Sequence, residues 1–300
     1  MSGTNLERLK YVAAVILYGT IGTFLRFVDL PSEVVALGRG VIGSLFLFFF
    51  LALKPRRDGG EDLRPVLRAN AKWLLLSGVF LGLNWIFLFA AYTITTVAVA
   101  SLCNYMAPVI VVLTAPIFLR ERTDPRKLPC VLAALFGIAL VSGVIGGSAA
   151  APNPAGVTSG LIAALCFAGI VLCNRRIKGV PPLVKAAVQL AVSAVTILPY
   201  VLTKNGGTVP MPDLRSGLIV LLLGAVHTGF AYCLYFSGMG SLPVQTVAIL
   251  GYLEPVVSVL CSAAFLREPL SPAGWAGAAL ILAAAAVSEI LPDKSPKTGD

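Results

Sequence analysis

An all-α membrane protein, with ten transmembrane helices built as two inverted five-helix repeats around a central cavity, is the fold class this sequence predicts. Three observations predict it. Of 300 residues, 57% are hydrophobic and 12% charged, with a mean hydropathy of +0.89, whereas soluble domains carry about a quarter charged residues. Ten apolar runs approach the roughly 20 residues that a helix needs to cross the hydrocarbon core. Finally, Asn104-Tyr105-Met106-Ala107-Pro108-Val109, followed by Phe118-Leu119-Arg120-Glu121, returns as Gly251-Tyr252-Leu253-Glu254-Pro255-Val256, followed by Phe265-Leu266-Arg267-Glu268. The pairs Tyr105/Tyr252, Pro108/Pro255 and Glu121/Glu268 share one offset of 147 residues. The chain therefore divides into a first repeat at 1–147, a second at 148–292 and a polar, disordered cytoplasmic tail at 293–300.

The runs lie between charged or Pro/Gly breaks: Lys10–Phe27, Val34–Leu53, Trp73–Tyr92, Val97–Leu119, Leu128–Ile145, Ala155–Cys173, Pro182–Leu202, Leu218–Phe236, Val244–Leu266 and Ala273–Leu291. They lack the alternation of barrel strands, and a helix meets its own backbone hydrogen bonds where no water can. Lys10–Phe27 superficially resembles a signal peptide, but it aligns at the repeat offset with the run near Gly156, so it is expected to be a true span. Gly146–Pro154 is the expected join between the halves. Gly78/Gly82, Gly143/Gly147 and Gly156/Gly160 have the small-residue spacing of close helix packing. Packing is the reading of these stripes, and a homodimer through them is the further option.

Orientation follows from Lys and Arg. With the N-terminus in the cytoplasm, 18 basic residues fall on cytoplasmic segments and three (Lys204, Arg215 and Arg267) outside, so both termini face the cytoplasm of a plasma-type (cytoplasmic, inner) membrane. The net charge of +9 thus serves topology, and nucleic-acid binding loses its support. Five spans per repeat, an odd number, place the second half upside down. Inverted repeats of this kind are typical of secondary transporters, with the substrate site near the midplane.

No P-loop, zinc-protease, dinucleotide or nucleophile-elbow motif stands in context. The six cysteines sit in apolar runs without a C-x-x-C pair and read as reduced packing residues. No catalytic residue, cofactor or metal site is expected. A membrane-embedded enzyme acting on lipid-linked substrates would need clustered acids and histidines at one face, and the outer loops offer only the scattered Asp29, Glu33, Asp213 and Glu268. A passive facilitator or scaffold is the third option.

The two five-span halves, Arg39 early in the second span, and the Tyr-x-x-Pro-Val … Arg-Glu ending of each half resemble the drug/metabolite transporter superfamily, EamA type. The resemblance covers about residues 10 to 290, with Leu253–Val256 and Leu266–Leu270 its most specific part. It implies a basket-like bundle with a central cavity and export of small metabolites or amino acids. Arg122 and Thr123 depart from the pattern, since the second half has Pro269 and Leu270 there.

Several residues are candidates for the site. Pro108 and Pro255 would kink their helices and free the carbonyls of Asn104 and Gly251; simple packing is the alternative. Tyr105 and Tyr252, well inside their runs, offer a ring and a hydroxyl to an organic substrate. Glu254 is the one carboxylate deep in a span, where a charge costs about 2.5–3.5 kcal/mol. It is read as a protonatable coupling group or, equally, as a structural acid. His227, a second proton carrier by type, and Tyr232 and Tyr235 give the eighth span a polar, aromatic face, although a lone histidine usually packs. Arg39 either snorkels, closes an outer gate or binds a carboxylate. Asn84, Trp85, Asn104 and Gln245 complete the membrane-depth polar set. For Arg26 the expectation is snorkelling, with Asp29 and Glu33 as neighbours. For Glu268, capping and salt-bridging are expected ahead of gating.

Overall fold

The computed structural model describes residues 3–53, 63–119, 128–141, 145, 153–239, 242, 250–251, 253–268 and 270–291. Their regular structure is helical throughout: α1 (Gly3–Leu25), α2 (Ser32–Leu53), α3 (Leu63–Ala69), α4 (Ala71–Ile94), α5 (Val97–Asn104), α6 (Ala107–Leu119), α7 (Leu128–Val141), α8 (Pro154–Arg176), α9 (Pro182–Lys204), α10 (Leu214–Gly224), a π-helical turn (Ala225–Phe230), α11 (Ala231–Met239), α12 (Leu253–Phe265) and α13 (Pro272–Ile290). Among the described residues, six helical stretches are long and apolar enough to cross a membrane: Asn5–Leu25, Ser32–Leu53, Ala71–Ile94, Pro154–Arg176, Pro182–Lys204 and Leu214–Gly238. Each of the ten apolar runs carries at least one described helix, six of the runs carrying one of spanning length; α3, a short element with no buried residue, was not anticipated.

Local chemistry accounts for where the helices start. Thr96, Asn153, Asp213 and Ser271 cap α5, α8, α10 and α13, each side chain accepting a backbone N–H of the first turn. The fourth run differs from expectation. It is two helices separated at Tyr105 and Met106, not one helix kinked at Pro108. Pro108 is the second residue of α6, a first-turn position whose missing N–H breaks no intrahelical bond.

Packing links the two halves reciprocally. α4 lies against α8 and α11 against α1; α4 meets α9 as α10 and the π-helical turn meet α2; α5 and α6 pack on α8 as α12 packs on α1. The pairs α2–α9, α7–α13 and α5–α12 also pack. Close approach depends on glycine: a Cβ on Gly82 would lie 3.0 Å from the Ser193 carbonyl, and one on Gly19 would lie 2.6 Å from the Glu254 carbonyl. Gly78, Gly156 and Gly160 likewise face neighbouring helices, as the packing reading expects, whereas Gly143 and Gly147 lie outside the described residues. Leu47, Phe89, Leu190, Ile197 and Leu223 form the buried centre, while Leu45, Phe49, Val195 and Phe265 are exposed on the outside. Apolar exposure of that kind suits a hydrocarbon solvent.

Candidate functional site

Four helical segments bring polar side chains to one point inside the bundle. Tyr18 of α1, Leu88 and Tyr92 of α4, Ser101 and Asn104 of α5, Tyr105 at the α5–α6 break, and Glu254, Pro255 and Ser258 of α12 line a cavity of about 20 Å³. That volume holds about one water. Tyr105 still follows the phase of α5, its N–H donating to the Ser101 carbonyl at 3.0 Å, so Ser101 and Tyr105 line the cavity from one face of that helix. A hydroxyl chain crosses the site: Tyr92 Oη and Ser101 Oγ are 3.2 Å apart, and Ser101 Oγ and Ser258 Oγ 2.6 Å apart. The Tyr18 hydroxyl, also buried, has no hydrogen-bond partner among the described residues, so an acceptor or donor entering the cavity meets a group with bonding capacity to spare.

Beside the cavity stands a stacked cation. Arg39 is 6% exposed, and its guanidinium carbon lies 4.3 Å from the Trp85 ring centroid and 5.7 Å from that of Phe89. Its Nε–H donates to Thr228 Oγ1 at 2.6 Å, and the Thr228 hydroxyl donates to the Leu223 carbonyl at 2.9 Å. That five-residue step follows from the π-helical turn, a geometry that recurs at functional sites. No ion pair among the described residues includes Arg39 or Glu254. Aromatic faces and a hydroxyl hold the cation instead, and it is close enough to act electrostatically on Glu254 and Tyr18.

The other candidates divide around this centre. Asn84 Nδ2 donates to Asn104 Oδ1 at 3.0 Å and to the Ala163 carbonyl at 2.8 Å, joining α4, α5 and α8. His227 Nε2 is 3.1 Å from Thr20 Oγ1, and its ring meets Phe24 edge-on at 5.0 Å. His227 Nδ1 lies 3.5 Å from the Leu222 carbonyl and the Thr20 hydroxyl also reaches the Leu17 carbonyl, so the imidazole tautomer sets which atom of the His227–Thr20 pair donates. Tyr232 packs edge-on against Tyr18 at 5.8 Å. Thus Asn104, Tyr105, Glu254 and Pro255 line the cavity; Arg39 and Trp85 stack next to it; Asn84, His227 and Tyr232 form the surrounding packing. The lining comes from α1, α4, α5 with the break that follows it, and α12. Tyr252 and Gln245 lie outside the described residues. Tyr18, Tyr92, Ser101, Ser258 and Thr228 were missed as candidates, although Ser101 and Ser258 sit one helical turn from Tyr105 and Glu254 and so were within reach of the pattern.

Arg26 corrects its expectation. It pairs neither with Asp29 nor with Glu33; its Nη2 reaches Glu268 Oε1 at 2.6 Å and the Thr95 carbonyl at 2.7 Å. Glu268 Oε2 also accepts from the Val97 N–H at 3.0 Å and from Ser262 Oγ at 2.9 Å. One carboxylate therefore ties the ends of α1, α4, α5 and α12 together, the capping and salt-bridging role expected of it.

Two segments, residues 9–143 and 154–289, match the model of the EamA-like transporter family. The chain belongs to that family. Its relatives include an uncharacterized transporter, YxxF of Bacillus subtilis, 28% identical over 86% of this chain and 81% of that one. Another is the aromatic amino acid exporter YddG of Ancylobacter novellus, 28% identical over 68% of this chain and 71% of that one. A solved crystal structure aligns with 95% of this chain and 99% of its own at a TM-score of 0.64 and 23% identity, a likeness of fold. As an EamA-like protein the chain is a multi-pass membrane transporter of small molecules and not an enzyme.

Proposed function

We propose that this EamA-like protein is an exporter of a small organic metabolite in the amino-acid range, working by alternating access in the cytoplasmic membrane with both termini inside. Ten spans form two inverted five-helix halves, and the reciprocal pairing of α4–α8 with α11–α1 and of α4–α9 with α10–α2 supports that arrangement. One observation carries the functional reading. Asn104, Tyr105 and Glu254, from corresponding stretches of the two repeats, converge with Tyr18 on one buried polar cavity. At about 20 Å³ it excludes an amino acid, so the conformation described is a closed one, and the Arg26–Glu268 pair is the outer latch that keeps it so. Opening on either side would enlarge the same space, as alternating access around a fixed site requires.

Within that site, Glu254 is the protonatable coupling group or the seat of a substrate ammonium, Arg39 attracts a carboxylate, and Trp85 and Tyr105 supply aromatic surface. Two relatives named as aromatic amino acid exporters make aromatic amino acids the first substrates to test. Reconstituted into proteoliposomes, the protein is expected to move labelled aromatic amino acids or small amines faster under a pH gradient. Glu254→Gln is expected to flatten the pH dependence. Gradient-independent flux would favour the passive facilitator, and no flux of any amino acid or amine would sink the proposal.

A further inference from the structure

A second space lies away from the polar cavity, between α4, α6 and α8. It measures about 320 Å³, and Phe80, Thr114, Leu165 and Gly169 are among the side chains lining it. Away from Arg176 at one end, its walls are apolar but for the Thr114 hydroxyl, which is spent on the Ile110 carbonyl of its own helix, and the Cys173 thiol. Leu165 and Phe118 at its edge are 56% and 60% exposed, so the groove faces the surrounding solvent, which at this depth is lipid. Gly169 lets the Phe80 ring lie flat against α8 to form the floor; a Cβ there would come within 2.8 Å of that ring.

One end of the groove is cationic. Arg176, in the last turn of α8, donates from Nη2 to the Phe118 carbonyl at 2.7 Å, one of the last-turn carbonyls of α6 that has no partner within its helix. The Arg176 guanidinium is 5.8 Å from the Trp73 ring and the Lys72 ammonium 5.3 Å from it. Both cations therefore sit on the indole at the groove mouth, and both residues are exposed. The Lys/Arg bias puts this end at the cytoplasmic surface, where the leaflet carries its negative charge.

An apolar trough open to hydrocarbon, closed at the headgroup level by two exposed cations on a tryptophan, is complementary to a single anionic amphiphile. We infer that this groove seats one acyl chain of an anionic phospholipid of the cytoplasmic leaflet, its phosphate on Arg176 and Lys72. The site is separate from the transport cavity and does not rest on the substrate reading; it uses only the orientation. A lipid here would brace α6 against α4 and α8, the helices joined near the centre by the bond from Asn84 to the Ala163 carbonyl.

The purified full-length protein in mild detergent tests this by native mass spectrometry and thermal shift, with phosphatidylglycerol and phosphatidylcholine of identical chains and with glycerol phosphate alone. Phosphatidylglycerol is expected to bind on the order of tenfold more tightly than phosphatidylcholine, as two interfacial cations imply, and glycerol phosphate not at all at the same concentration. Arg176→Gln with Lys72→Gln should abolish the preference between lipids, and Thr114→Trp, which fills the trough, should remove binding of both. Equal binding of the two lipids by the native chain overturns the headgroup assignment. Unchanged phosphatidylglycerol binding in a Thr114→Trp protein that melts like the native one overturns the acyl-chain site.

Discussion

Replacing Arg26 with Gln removes the cation from the latch while leaving a polar side chain of moderate length. Two interactions are lost: the 2.6 Å ion pair with Glu268 and the 2.7 Å bond to the Thr95 carbonyl. Exposed ion pairs are worth about 0.2–1 kcal/mol, and hydrogen bonds to charged groups about 1.5–3 kcal/mol. With the side chains of Arg26 and Glu268 29% and 19% exposed, the pair falls between those limits. About 1.5 kcal/mol is the resulting estimate, or roughly a tenfold shift in the balance between closed and outward-open forms. The readout is a cysteine at Leu88, a cavity-lining apolar position, attacked by a membrane-impermeant maleimide from outside; the parent chain without that cysteine sets the background. Arg26→Gln should raise the labelling rate about tenfold. Charge reversal, Arg26→Glu with Glu268→Arg, should restore closure only in part, because arginine cannot accept the Val97 N–H that Glu268 now receives. If labelling stays constant while the melting temperature falls, the pair is a structural clip and not a gate.

Further expectations follow from neighbouring contacts. Gly19→Ala puts a methyl 2.6 Å from the Glu254 carbonyl and 2.7 Å from Val257 Cβ, so α1 and α12 must part; about 1–3 kcal/mol of stability should go, read as a lower melting temperature in detergent. Asn84→Leu breaks bonds to two helices and should cost about 0.6–1.7 kcal/mol, with a larger loss of transport, since Asn104 then enters the cavity unpaired. Arg39→Lys keeps the charge but not the planar face stacked on Trp85, and flux of carboxylate substrates should drop more than flux of simple amines. At the start of α10, hydrogen bonds from Ser216 and then from the backbone N–H groups hold the Asp213 carboxyl below its ordinary range. A depressed folded pKa means its capping contribution is complete above the unfolded value and is lost as pH falls through the folded one. Asp213→Ala should therefore speed amide exchange at residues 214–217 near neutral pH, with the difference fading in acid.

Apolar runs and the repeated motif were legible because each is a local or periodic property of the chain; the caps went unread, although they are local too. Hydropathy over about 20 residues marks a crossing helix regardless of its neighbours, and Asp213 or Ser271 ahead of an apolar run announces a helix start. Glu254, Tyr105 and Asn104 were recoverable for the same reason: polar groups deep in apolar runs stand out against their surroundings. Even the break at Tyr105 was half visible, since Pro108 signals disruption but not the side on which the helix ends.

Which groups meet was decided by tertiary structure alone. Arg26 had Asp29 and Glu33 within a few residues, yet its partner is Glu268, 242 positions away, because the ends of α1 and α12 come together only when the halves interlock. His227 faces Thr20 across 207 positions, and Arg39 finds Trp85 and Thr228 on two other helices. Hydrophobicity, which drives a chain into the bilayer, is blind to direction within it. Partner choice comes from side-chain packing and hydrogen-bond satisfaction between helices, and those are set once the helices are side by side.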